Sequence, residues 1–139
     1  MDKPVIVGNV ITIPSSDEYL VDVDSFLEGT LRGCGVDESL IADIAISVSE
    51  LVNNAIFHGN KGQRDQSVKV TVNCGGKKVT ISIHDQGSGF DPSDIADPIA
   101  DENLLKEVGR GIFIVKSLMD SVETKPSGSG SVTTIIKNL

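Results

Sequence analysis

The stretch Asp37 to Gly59, DESLIADIAISVSELVNNAIFHG, constrains this chain more than any other. Leu40, Ile41, Ile44, Ala45, Val48, Leu51, Val52, Ala55 and Ile56 recur at i, i+3, i+4 and i+7, the pattern of a helix with one apolar stripe in a core. Asp37 stands where an N-cap is expected, with Glu38 in the first turn, and Gly59 in HGNKG supplies the stop. At about 100° per residue, Ser47, Glu50, Asn54 and His58 fall within about 80° of one another, off the stripe. Glu50 and Asn54 are one turn apart, so their side chains can meet around one small object. For a lone Glu and Asn a solvated face would be the favoured reading. Two adjacent asparagines, mediocre helix formers inside a strong pattern, argue for a use. A carboxylate beside an amide oxygen is a donor set that a hard divalent cation takes. His58 reads as a helix-end histidine beside the last carbonyls rather than a catalytic group.

The flanking segments supply a sheet. Val5 to Ile13 reads as a strand interrupted by a turn or bulge at Gly8-Asn9, and Ser16 as the N-cap of a helix over Asp17 to Leu31. Ser67 to Cys74 and Lys77 to Asp85 alternate apolar and polar residues about Gly75-Gly76, which predicts a hairpin. Gln86 to Val108 has no sustained period and carries Gly87, Gly89, Pro92 and Pro98; a segment this long reads as a lid, with room for a short helix at 101–107. Gly109-Arg110-Gly111 opens a helix over Ile112 to Val122. Strands at 121–125 and 131–137 close the chain around a Gly-Ser turn. The expected architecture is α+β: a two-layer sandwich, a mostly antiparallel sheet with helices on one face, forming a single domain over residues 1–139.

Composition excludes several classes. A formal net charge of −8, from 20 acidic and 12 basic residues, disfavours a direct nucleic-acid binder, which needs a concentrated basic face. Apolar runs fall short of a membrane span, and the N-terminus lacks a secretory signal pattern, so a cytoplasmic protein with no membrane partner is expected. Cys34 and Cys74 lack CxxC partners and read as two buried or incidental thiols in a reducing compartment.

Three motifs remain, in order: Glu50-x-x-x-Asn54, Asp85-x-Gly87-x-Gly89 and Gly109-x-Gly111 before a helix. At a strand end a carboxylate can accept hydrogen bonds from a buried amino group, while glycines let backbone approach a flat ligand. A glycine pair at a helix N-terminus offers unpaired N–H groups to phosphate. Each alone is an ordinary turn or loop. Together they resemble the N, G1 and G2 boxes of the GHKL (Bergerat-fold) ATP-binding superfamily of gyrase B, MutL and histidine kinases: Glu50-Leu-Val-Asn-Asn54-Ala-Ile-Phe-His-Gly, Asp85-Gln-Gly-Ser-Gly89-Phe and Gly109-Arg-Gly-Ile-Phe. Within it, the stretch GFDPSDI…ENLLKEVGRGIFIVKSLMDSVE is similar to the small bacterial anti-sigma-factor serine kinases of the SpoIIAB and RsbW type. The likeness covers about residues 15–137.

The resemblance implies the following roles. Asn54 would hold Mg²⁺ against the triphosphate of ATP, and Glu50 would be the general base. Asp85 would bind the adenine amino group, with Gly87 and Gly89 shaping that pocket. Gly109, Arg110 and Gly111 would lie near the phosphates. A Ser or Thr of the last strand, Ser131-Val132-Thr133-Thr134, would support the adenine; which one stays open. The implied activity is ATP-dependent phosphorylation of a serine on a STAS-type antagonist protein, in alternation with binding a sigma factor or other regulator, by a homodimer. A non-catalytic ATP-binding switch that sequesters its partner is the alternative. A histidine-kinase catalytic domain is disfavoured for want of a preceding helical segment with a phospho-acceptor histidine. There is no Walker A sequence and no VAIK, HRD or DFG, so any ATP chemistry must come from the three boxes.

Overall fold

A computed structural model describes residues 3–63, 65–87, 102–128 and 130–139, with the backbone alone for 102–108. Among the described residues, six strands form one antiparallel sheet in the order β1-β2-β3-β4-β6-β5: β1 Val5–Val7, β2 Val10–Pro14, β3 Ser67–Gly75, β4 Lys78–Asp85, β5 Ser121–Ser127 and β6 Gly130–Asn138. Alternation decides which face is covered. Ile11 and Ile13 of β2, Val68, Val70 and Val72 of β3, Val79, Ile81 and Ile83 of β4 and Ile135 of β6 are buried on one face, and the register Ile11↔Val70↔Ile83 keeps them together. Three helices pack on that face: α1 Leu20–Gly33, α2 Glu38–Asn54 and α3 Glu102–Leu118. The α+β two-layer reading holds.

Several boundaries moved. Residues 5–13 are not one strand but the hairpin β1–β2, reversed at Gly8, whose φ is 59°. A 3₁₀ turn at Asp17–Tyr19 precedes α1, and neither Ser16 nor Asp37 makes the side-chain cap bond expected of it. The β3–β4 turn falls one residue later than expected, at Gly76 and Lys77, because both residues take the positive φ (61° and 64°) that a tight hairpin turn needs. Of the segment read as a lid, 88–101 lies outside the described residues; 102–108 belongs to α3.

α3 corrects a functional expectation. Gly109 and Gly111 do not open a helix; they lie inside one that starts at Glu102 and stops at Leu118, leaving Val122 to β5. Each mid-helix glycine costs about 1 kcal/mol relative to alanine, an amount that packing offsets. Inside a helix their N–H groups belong to the ladder, so in this structure they are not the unpaired donors a phosphate would meet.

The cysteines are also corrected. Cys34, at the C-cap of α1, and Cys74, in β3, are joined as a disulfide with Cα atoms 6.5 Å apart. That distance lies within the bridging range. Only the packing of the α1–α2 turn beside the far end of the β3–β4 hairpin brings the two together, and no sequence spacing expresses it.

By length and mean hydropathy (22 residues, 1.5) the helical run Glu38–Gly59 could cross a membrane, a point that counting uninterrupted apolar runs misses. Its apolar stripe is already spent on this core, where Ile41, Ile44, Val48, Leu51 and Val52 are buried.

Candidate functional site

α2 does not end at Asn54 as an α-helix ends. It widens into a π turn, Ala55–Gly59, closed by the Asn60 amide donating to the Ala55 carbonyl at 2.8 Å. Such turns are rare and concentrate at functional sites. Glu50, Asn53, Asn54, Phe57 and His58 form one wall of a cavity of about 330 Å³, and Arg110, Gly111 and Ile114 of α3 form the other. Ser47, grouped with Glu50 by helical angle, is instead buried and donates to the Asp43 carbonyl at 3.0 Å.

Gly111 has a spatial rather than a conformational reason. A Cβ there would lie 2.9 Å from Glu50 Oε2 and within 3.9 Å of both amide atoms of Asn54. Glycine therefore lets α3 come down onto the Glu50–Asn54 face, and the missing methyl group leaves the two polar side chains open to the cavity. Arg110 puts a guanidinium on the same rim. Gly109 is exposed, does not line the cavity, and has, among the described residues outside its own helical turn, no atom within 4 Å of its Cβ position.

Asp85 ends β4 outside that cavity lining, on the other side of the π turn. Its carboxylate is held by β6: Ser131 Oγ donates to Oδ2 at 2.8 Å, and the Ser131 amide donates to Oδ1 at 3.3 Å. Three glycines allow close backbone packing around it: Gly59 against the carboxylate, Gly130 against the Asp85 carbonyl, and Gly87 against Gly59. A Cβ on Gly59 would fall 2.6 Å from Asp85 Cγ, one on Gly130 would strike the Asp85 carbonyl, and one on Gly87 would strike the Gly59 carbonyl. A carboxylate has about four acceptor sites and Ser131 uses two, so capacity for a ligand donor remains.

The structure thus brings Glu50, Asn54, Arg110 and Gly111 around one cavity, and Asp85 and Gly87 into one packed group beneath the π turn. Gly89 lies outside the described residues. Of the residues left open in the last strand, Ser131 is the one that reaches Asp85; Thr133 meets Thr124 at 3.0 Å and Thr134 meets Ser82 at 3.4 Å. Gly59 and Gly130 went unread as site residues, though the HG dipeptide and the glycine opening the last strand were visible. Asn53 lines the cavity as Asn54 does, and the doubled Asn was its only signal.

His84, paired with Lys69 across β3–β4, lies one residue before Asp85. Desolvation first, and the Lys69 charge second, push its imidazole below the ordinary value of 6.5, against the pull of Asp85. The folded chain binds this proton more weakly than the unfolded one. Its share of stability is therefore complete above pH 6.5 and is lost as pH falls from there through the lower folded value. Urea titrations across that window should show a smaller decline of the midpoint for His84→Gln than for wild type; equal declines would remove His84 from the account.

A family model described as the histidine kinase-like ATPase domain matches residues 13–137, nearly the whole chain. The chain belongs to that family. This ATPase domain is also 34% identical over 134 residues to the serine-protein kinase RsbW of Staphylococcus aureus, across 90% of this chain and 84% of that protein. Two crystal structures share the fold. The RsbU and RsbW domains of a Mycobacterium tuberculosis protein superpose with a TM-score of 0.68 at 21% identity, over 98% of this chain and 32% of that one. The SiaB–SiaC complex of Pseudomonas aeruginosa gives 0.58 at 14% identity, over 99% and 90%.

Proposed function

We propose that this domain binds ATP with Mg²⁺ and transfers the γ-phosphoryl group to a serine of a small STAS-type antagonist protein, alternating between that antagonist and a sigma factor or similar regulator. The observation that carries this reading is the Glu50–Asn54 pair on adjacent turns of α2, facing Arg110 across a cavity that Gly111 keeps open. The similarity to a serine-protein kinase RsbW supports the choice of acceptor.

The residues present fit the nucleotide and the metal. Glu50, Asn53 and Asn54 offer carboxylate and amide oxygens, the hard donors Mg²⁺ takes. When bound, Mg²⁺ supplies charge compensation across the phosphate oxygens. Asn54 would hold the ion by its amide oxygen, and Arg110 would meet phosphate oxygens from the opposite wall. Asp85, oriented by Ser131, would accept the adenine amino group. Glu50 would take the proton of the serine hydroxyl as its oxygen bonds to the γ-phosphorus and the bond from phosphorus to the bridging oxygen breaks, leaving ADP. Little covalent work falls to the protein in such a transfer; positioning and charge dominate. A cytoplasmic homodimer completes the proposal.

Calorimetric titration with Mg·ATP tests the base of this reading. Asp85→Asn should weaken binding by about 1–3 kcal/mol, the worth of a charge-assisted hydrogen bond in a desolvated pocket. A wild-type protein that takes up no nucleotide would sink it.

A further inference from the structure

We propose that Asn60 is the positioning residue for Asp85: a buried amide that holds the peptide following the carboxylate and so sets the base specificity of the site. The inference rests on the nucleotide reading above and adds a residue to it.

Asn60 is 1% exposed, and every polar group of its side chain is engaged. Nδ2 donates to Ser15 Oγ at 2.8 Å and to the Ser67 carbonyl at 3.0 Å, while Oδ1 accepts the Gln86 amide at 2.8 Å. One side chain thus ties the end of β2, the start of β3 and the exit of β4 to the end of the π turn. Gln86 is fastened a second time, since its Oε1 accepts the Ser67 amide at 2.7 Å. The peptide after Asp85 is therefore anchored on the Asn60 side, as Ser131 anchors the carboxylate on the β6 side.

The backbone of Asn60 serves the same end. Its amide closes the π turn, and that turn sets Gly59, the preceding residue, against Asp85 Cγ and the Gly59 carbonyl against Gly87. Asp85 is gripped between two supports, and removing one frees the carboxylate to rotate away from a donor on the ligand. Aspartate at position 60 is nearly isosteric and still accepts from Gln86. It cannot donate to Ser15 and Ser67, so it loosens the support without emptying the space.

The measurement compares ATP with purine riboside triphosphate, the analogue lacking the 6-amino group, by calorimetry on the intact chain. Wild type should favour ATP by about tenfold or more, the worth of one hydrogen bond to a charged group. Asn60→Asp should weaken ATP by about tenfold and the analogue by no more than about twofold, because only the amino group senses the orientation of Asp85. In an Asp85→Asn background the same substitution should cost nothing further. Equal weakening of both nucleotides would make Asn60 a purely structural residue and overturn the proposal, as would unchanged selectivity. If Asn60→Asp does not fold, Ser15→Ala, which leaves Asn60 in place with one acceptor fewer, should show the same selective loss in smaller measure; its absence is equally fatal. A wild type that binds both nucleotides without preference refutes the role of Asp85 as well, whereas one that binds neither refutes the nucleotide reading itself.

Discussion

Glu50→Gln should leave ATP affinity within about threefold of wild type and lower phosphate transfer to a serine acceptor by about 10²–10⁴, the usual worth of a positioned general base. Glutamine keeps the shape and loses only the basicity. The shape matters because Glu50 lines the cavity against Gly111, where even an added Cβ would fall 2.9 Å from Glu50 Oε2. Asn54, one turn on, should behave differently. Asn54→Ala removes the oxygen proposed to hold the metal and should weaken nucleotide binding and turnover together. Radiolabel transfer from ATP, run beside a binding titration on the same proteins, separates the two. Equal transfer by wild type and Glu50→Gln would strip Glu50 of its role. Binding without transfer, to a partner shown to associate, would turn the reading to the non-catalytic switch.

Reduction of the Cys34–Cys74 bond should lower the unfolding free energy by about 2–4 kcal/mol while leaving nucleotide affinity unchanged. The two cysteines are 40 residues apart in sequence, and closing a loop of that size in the unfolded chain restricts it by about 4 kcal/mol in the chain-entropy account. Cys34 is exposed, so a small thiol reductant reaches it. The bond ties the entry of α2, whereas Asn54 lies at the exit, about 24 Å along a 17-residue helix at 1.5 Å per residue. Local loosening at one end should not reach the other through a helix buried along its length. Urea unfolding with and without dithiothreitol gives the stability term, and calorimetry under the same conditions gives the affinity. Coincident urea curves would mean that the thiols are unpaired in solution, as their sequence context alone suggests.

Much of this was legible because it is local. The apolar stripe of α2 has the period of a helix, and the alternation in β3 and β4 the period of a strand, so both survive without knowledge of what packs on them. The one-turn spacing of Glu50 and Asn54 is a property of helix geometry, and it placed them on a common wall of the cavity. The strand-end position of Asp85 was equally readable, since the strand stops where the alternation stops.

What escaped depends on contacts between distant segments. Gly109 and Gly111 read as a helix start because glycine is a poor helix former, yet α3 runs through both, and Gly111 answers to the approach of Glu50 from another helix. Ser131, Thr133 and Thr134 are equivalent by propensity; only the register Asp85↔Ser131 between β4 and β6 selects the first. Asn60 stands in a stretch that reads as a polar loop, and it becomes a buried hub because the π turn at the end of α2 sets it against the ends of β2, β3 and β4. Cys34 and Cys74 meet only because the end of α1 packs beside β3. Periodicity encodes which face of an element is buried; which residues meet across two elements follows from register and interhelical approach, and those are set by the packed core as a whole.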